Sequence, residues 1–344
     1  MALVAILDPD VHIVAAGGAV RVERGGETLQ TIPTHRVSEV HLHGHADLTA
    51  PARLLLLRAG IDVVFFTSDG RLLGRLSAYQ SRQGERRLAQ YALSSEPSRR
   101  LPIARTIISA KLTNQRRMLL RGQRRSPDED VAAIILVLRG LGERALGCVD
   151  AAELLGVEGL AAQRYFDAFG RSLHNPAFRF DGRNRHPPRD PVNACLSFGY
   201  TLLLSQVERA VRRAGLDPIL GVLHETGRGA PALALDLMEE WRPLVDRMVL
   251  SLIHRHELGP EDFRIPPAEE LGARAEMSDD AIYLDTVGRQ VLLRAWEDEL
   301  NRRVERPADG DHVTVRDALL EQALAMARVI DGEADTYTPI TLEG

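Results

Sequence analysis

The chain is poor in cysteine. Cys148 and Cys195 are the only two among 344 residues, far apart and each in a segment of helical pattern, which excludes a disulfide framework and fits a reducing compartment. Long hydrophobic runs are missing too: no uncharged apolar stretch reaches the roughly 20 residues that span a bilayer. The opening "MALVAILDPD" has neither the basic start nor the apolar centre of an export signal. A cytoplasmic protein with no membrane partner is the expectation. Excess positive charge is also absent, the formal net charge being −5 with 26% charged residues. Affinity for an anionic partner therefore has to come from local patches rather than from bulk composition. Internal repeats and low-complexity tracts are lacking as well.

What is present is a globular composition, 44% hydrophobic, on a chain long enough that two domains are expected. The first eighty or so residues change character every few positions. Short β-branched runs alternate with turn signals, as in "VRVERGGETLQTI", where Gly25-Gly26 predicts a hairpin, and "DVVFFTSDGRLLGRL", where Asp69-Gly70 does. Between them "TAPARLLLLRAG" predicts a short helix, starting at Thr49 or Ala50 with Pro51 in its first turn and stopping at Gly60. From about residue 78 the apolar period becomes helical. The segment "SSEPSRRLP", residues 94 to 102, interrupts two helical stretches, and a later helix has legible ends in Asp190, Pro191 and Gly215. The predicted fold is α+β: a small N-terminal β-rich domain at 1–78, a connecting helix and linker at 79–101, a larger all-α C-terminal domain at 102–330 and a tail at 331–344.

Charge is segregated along the sequence. Residues 99 to 125 carry nine Arg or Lys and no acid. Like charges crowded on a helix repel, and a phosphate backbone would offset that cost while releasing counterions. A solvated face balanced by acids such as those of "SPDED" is the other reading. A second basic element, "DGRNRHPPRDP", puts Arg183, Arg185 and Arg189 in a proline-rich loop suited to lying over a phosphate chain, or serving only as a mobile connection.

The acids that invite a chemical reading are in "LDLMEEWRPLVDR". On a helix Asp236 and Glu239 lie about 60° apart and Glu240 about 40° beyond Asp236, all opposite Trp241 and Val245. A solvated helix face explains this, but neighbouring carboxylates also repel unless a cation shares them. Pro243 removes a hydrogen bond from the Glu239 carbonyl, so a kink is expected there. His224 ends an apolar run before a glycine-rich turn that could bring its imidazole to those acids. In "LLGVEGLAAQRYF", Gly156 predicts a helix interruption that places Glu158 in the first turn of the next helix, where the macrodipole favours a carboxylate. Glu158, Ala162 and Tyr165 share a face. The "HLHGH" stretch puts His41, His43 and His45 on one side of a strand, a spacing able to hold zinc, though solvent-facing imidazoles at a strand end are the expectation.

Taken in order, "LLGVEGLAAQRYF", "GRNRHPPRDPVNACLSFGY", "GLDPILGVLHETGRG" and "LALDLMEEWRPLVDR" resemble motifs of the CRISPR-associated adaptation integrase/endonuclease family, called Cas one. Weaker echoes, including "IPTHRVSEVHLHG", "AKLTNQRRMLL" and "TYTPI", extend the resemblance over most of the chain. The set is specific although no single motif is. Trp241 stands where phenylalanine is commoner, and "HETGRGAP" is a variant of the family's turn.

The resemblance implies an N-terminal β-domain that forms a homodimer and a helical domain that holds one divalent metal, Mg2+ or Mn2+. It implies a metal-dependent integrase and endonuclease that joins the 3′-OH ends of short duplex DNA into a CRISPR array, in complex with a small second adaptation protein. Glu158, His224 and Glu239 match the metal ligands, and Asp236 the acid one turn before the third. The expected contacts to double-stranded DNA are Arg105, Lys111, Arg116, Arg117, Arg183, Arg185, Arg189 and Tyr165. A non-enzymatic dimeric DNA-binding scaffold and a metal-dependent repair nuclease are the alternatives.

Overall fold

A computed structural model describes residues 1–78, 83–184, 187–224, 230–266, 281–306 and 310–342. The chain folds as α+β, strand-rich first and helical through its larger C-terminal part. In order, the elements are β1 (Ala2–Ile6), β2 (His12–Ala16), β3 (Ala19–Arg24), β4 (Glu27–Pro33), β5 (Val37–His43), β6 (Asp47–Leu48), α1 (Ala50–Arg58), β7 (Asp62–Phe66) and β8 (Leu72–Leu76). There follow α2 (Gly84–Ser95), α3 (Pro97–Gln123), α4 (Glu129–Ala145), α5 (Ala151–Arg171), α6 (Pro191–Arg213), α7 (Ala232–Met238) and α8 (Arg242–His254). The last are β9 (Phe263–Arg264), β10 (Tyr283–Leu284), α9 (Thr286–Asn301), β11 (Arg303–Glu305), β12 (His312–Thr314) and α10 (Val315–Ile330). Among the described residues no helix is long and apolar enough to cross a membrane.

Two compact units result, Met1–Ser81 with Glu261–Glu297, and Arg82–Pro260 with Asp298–Gly344. The sequence pattern assigns the whole of 102–330 to one helical domain. In the structure residues 261–297 belong instead to the strand-rich unit.

That first unit has two sheets, ordered β1-β5-β7-β8 and β4-β3-β2-β6. Gly25 and Gly26 have φ of 57° and 88°, the left-handed geometry that a tight hairpin turn requires and that glycine adopts without steric cost. Strand β5 shows how alternation divides its side chains. Val40 and Leu42 enter a core with Ile13, Val22, Leu56 and Val63, each burial contributing roughly 1.5–3 kcal/mol. Glu39, His41 and His43 take the other face, and they are buried too, at 0%, 0% and 1% exposure. The expected solvent-facing imidazoles are therefore corrected. Glu39 explains His41, accepting from its Nε2 at 2.8 Å and from Arg75 at 2.5 Å, while the His43 ring stacks on Phe66 at 4.6 Å. His45 alone of the three is exposed.

The helical unit is organised by α3, whose buried Ile108 and Leu112 join Leu138 of α4, and Leu154, Ala161 and Tyr165 of α5 in one core. Aspartate caps fix the starts. Asp150 accepts from the Glu153 amide at 2.8 Å and Asp190 from that of Asn193 at 2.8 Å, each cap being worth ~1 kcal/mol. Helix α5 runs unbroken through Gly156, contrary to the predicted interruption. Its apolar stripe of Leu154, Val157, Ala161 and Tyr165 continues across the glycine and outweighs the ~1 kcal/mol that glycine costs inside a helix. Glu158 therefore lies beyond the first turn, out of reach of the N-terminal dipole effect. At Gly199 of α6 an added Cβ would meet Val245 Cγ1 at 2.6 Å, so α6 and α8 approach as closely as a hydrogen side chain allows.

Candidate active site

The segment around Asp236 is a corner. Pro243 has no amide hydrogen for the Glu239 carbonyl, so α7 ends at Met238 and α8 begins at Arg242, with the Trp241 amide closing a tight turn onto Met238 at 2.9 Å. The kink expected from sequence is thus a full break. It turns all three acids inward: Asp236, Glu239 and Glu240 are 0%, 4% and 0% exposed. The solvated-face reading is corrected, and each acid meets a different set of partners.

Asp236 is a bracket for its neighbours. Oδ2 accepts the Val222 and Leu223 amides at 2.5 and 3.0 Å, while Oδ1 accepts the His224 amide at 2.9 Å and pairs with His224 Nδ1 at 2.6 Å. With both oxygens taken, its function is to fix the 222–224 backbone and the imidazole plane, leaving Nε2 as the ring atom available to a ligand. The Asp236 hydrogen bond raises the His224 pKa above its ordinary value, against an opposing desolvation. Glu240 is held by the tail: Tyr337 Oη donates to one oxygen at 2.7 Å and the Ile340 amide to the other at 2.6 Å. Burial pushes its pKa up to about 8 in spite of those bonds. Its main-chain carbonyl and that of Ile340 both accept from Asn114 Nδ2, at 2.8 and 3.0 Å.

Glu239 faces cations. Arg242 Nε lies 2.9 Å from one oxygen and Lys111 Nζ 2.7 Å from the other. Burial alone would raise its pKa, but Arg242 and Lys111 outweigh burial and hold it at about 2. The same Lys111 ammonium is ion-paired with Glu158. Glu158 and Glu239, 81 positions apart in sequence numbering, thus share one cation. Together with His224 they line a cavity of about 220 Å3 that also includes Lys111, Arg183, Tyr200 and Arg242.

Two carboxylates and an imidazole form a mixed oxygen and nitrogen donor set of the kind Mg2+ or Mn2+ accepts. The shared ammonium indicates that both carboxylates are directed at a point where a cation is stable. As arranged, no three His, Cys, Asp or Glu side chains among the described residues are grouped to hold a metal ion, the ammonium occupying the point the two carboxylates share.

The residues expected to contact DNA are dispersed. Lys111 is 5% exposed inside the cleft, and Tyr165 is fully buried, its hydroxyl donating to Asp246 at 2.6 Å. Neither offers a surface to a duplex. Tyr200 donates to the other Asp246 oxygen at 2.5 Å, and burial pushes the Asp246 pKa up to about 6 despite the two phenols. Arg183 lines the cavity but is tied to α6, donating to Asn193 at 2.7 Å and Ser197 at 3.0 Å. Arg117 donates to the Leu342 carbonyl at 2.8 Å. Arg105 and Arg116 are half-buried, and Arg189 is exposed. Arg185 lies outside the described residues. Sequence pattern gives no role in the cleft to Arg242 or Asp246, and it places Lys111 among the residues expected to contact DNA. A signal for Lys111 was nonetheless present, since it is the only lysine in the chain.

Residues 4–298 match the family described as CRISPR associated protein Cas1. The chain belongs to the Cas1 family. A CRISPR-associated endonuclease Cas1 of Thermus thermophilus is 35% identical over 340 residues, covering 96% of this chain and 99% of the relative. A CRISPR-associated exonuclease Cas4/endonuclease Cas1 fusion of Rhodospirillum rubrum is 37% identical over 318 residues, covering 91% of this chain and 53% of the fusion. The chain thus spans about half the length of that fusion. Among solved structures, a casposase bound to integration product superposes with a TM-score of 0.83 at 22% identity, over 98% of this chain and 92% of that one. A Cas6-RT-Cas1–Cas2 complex gives 0.80 at 24% identity, over 99% of this chain and 36% of that one. At these identities the likeness concerns the fold, which this chain shares with the Cas1 family.

Proposed function

We propose that this protein is a metal-dependent DNA endonuclease and integrase of CRISPR adaptation, joining the 3′-OH ends of short duplex DNA to a CRISPR array. The observation that carries the reading is the convergence of Glu158, His224 and Glu239 on one cavity, with Asp236 holding the imidazole from behind. Glu158, Glu239 and His224 would hold one Mg2+ or Mn2+. Bound there, the ion would supply positive charge to the scissile phosphate and lower the pKa of an attacking hydroxyl or water. The protein's own part is to orient and to balance charge. Arg242 and Arg183, both in the cavity wall and both lying over the Tyr200 ring, at 4.7 and 5.4 Å, set fixed cations where a phosphate's anionic oxygens would rest. Asp246 anchors Tyr200 beneath them. Attack by a DNA 3′-hydroxyl forms a new P–O bond as the array's own P–O3′ bond breaks; attack by water hydrolyses the same bond. One site accommodates both, and the nucleophile decides between them.

Support for the substrate and partners comes from the relatives named as Cas1 endonucleases and from the casposase and Cas1–Cas2 structures that share the fold. Duplex DNA, a second copy of this chain joined through the strand-rich unit, and a Cas2-type small protein are the proposed partners. The test is a Mn2+ titration with branched and repeat-containing DNA. Wild type should cleave and join strands while Glu158→Ala, folded by circular dichroism, does neither. Equal behaviour of the two, at background, would leave a DNA scaffold; cleavage without joining would indicate a repair nuclease.

A further inference from the structure

Of 43 basic residues Lys111 is the sole lysine, and its ammonium meets both Glu158 and Glu239. Its side chain is 6% exposed, like that of Glu239, whereas Glu158 is 26% exposed. An arginine in that place would clasp carboxylates with a rigid two-pronged fork. An ammonium is a point charge on a flexible stem and is withdrawn more easily. The contrast is visible in the cleft itself. Arg242 is held on two sides, by the opposite oxygen of Glu239, 2.9 Å from its Nε, and by the Tyr200 ring at 4.7 Å, whereas the Lys111 ammonium meets the two carboxylates.

We propose that Lys111 is an exchangeable counter-ion of Glu158 and Glu239, occupying the position of the divalent cation and withdrawing when that cation enters. The inference rests on the metal site proposed above. Charge balance supports it. Among the four groups in direct ionic contact, Glu158, Glu239, Lys111 and Arg242, the charges cancel as the structure stands. A dication added beside a retained ammonium would leave two surplus positive charges in a buried cleft, which is costly. With the ammonium withdrawn one surplus remains, the amount that a single phosphate of a DNA strand cancels. Lys111 therefore compensates the two carboxylates before loading, and couples metal entry to phosphate entry.

Two readouts independent of activity test this. Mn2+ binding, followed by loss of the free-ion electron paramagnetic resonance signal, should be at least about tenfold tighter in Lys111→Met than in wild type, because the competing charge is gone. Lys111→Arg should bind no tighter than wild type. In wild type, an amine-reactive reagent read by mass spectrometry should label the lone lysine faster when Mn2+ is present than in chelator. Lys111→Gln serves in place of Lys111→Met if the latter does not fold. A folded Lys111→Met or Lys111→Gln that binds Mn2+ no tighter than wild type, or lysine labelling unchanged by Mn2+, overturns the inference while leaving the metal site intact. Absence of Mn2+ binding in wild type, or binding that Glu158→Gln leaves unchanged, overturns the metal site itself and the inference with it.

Discussion

Asp236→Asn isolates the bracket that positions His224. The native carboxylate accepts two hydrogen bonds on each oxygen: Val222 and Leu223 amides on one, the His224 amide and Nδ1 on the other. An asparagine is nearly the same size but offers one oxygen and one NH2 group. With the NH2 turned toward Val222 and Leu223 two amides lose their acceptor; turned toward His224 it can donate to Nδ1 of the other imidazole tautomer, and only the His224 amide loses its acceptor. The second orientation is the cheaper one, and one lost acceptor costs ~1–3 kcal/mol. For a unit of this size that corresponds to a fall in Tm on the order of 2–12 °C. Metal affinity should suffer separately, since removing the group that orients a ligating imidazole typically costs about 10–100-fold. Urea unfolding and Mn2+ titration of the folded variant read the two effects. A variant that unfolds with wild-type stability and binds Mn2+ with wild-type affinity would refute the reasoning, because it would mean that the bracket neither holds the 222–224 backbone nor sets the ring.

Two further outcomes follow from packing and burial. Gly199→Ala places a methyl group 2.6 Å from Val245 Cγ1, and the α6–α8 contact should lose ~1–3 kcal/mol through overpacking, readable as a lower urea midpoint with an unchanged m-value. In the strand-rich unit, desolvation, then the charges of His41 and Arg289, lower the His43 pKa from 6.5 to about 3. Between those values the unfolded chain binds a proton that the folded chain refuses, so stability is full above pH 6.5 and declines as pH falls. At pH 5 the loss is ~2 kcal/mol, which His43→Phe should abolish; a wild-type acid profile in that folded variant would contradict the assignment.

Much of the fold was legible where the signal is local. Gly25-Gly26, the Asp190-Pro191 start of α6 and the switch from strand to helix period all act over a few residues, and the structure follows them. Non-local packing was not legible. Nothing in the composition of 261–297 marks it as belonging with the first unit, because that depends on which surface the segment meets. The acids illustrate the same limit at the site. Their clustering and the proline beside them were readable, but a solvated face and a buried corner share one pattern, and only the break before Arg242 turns the carboxylates inward. His41 and His43 misled for a related reason: a polar residue on an alternating strand signals solvent unless a partner such as Glu39 is buried with it. Lys111 was hidden among nine basic residues by their shared charge, although lysine rather than arginine was the distinguishing chemistry.

The central claim is that Glu158, His224 and Glu239 grip a single divalent ion. Anomalous diffraction from crystals soaked in Mn2+ addresses it directly. One peak bonded to both carboxylates and to His224 Nε2, absent in Glu158→Ala crystals, is the predicted result; a peak elsewhere, or none in fully soaked wild-type crystals, would contradict it.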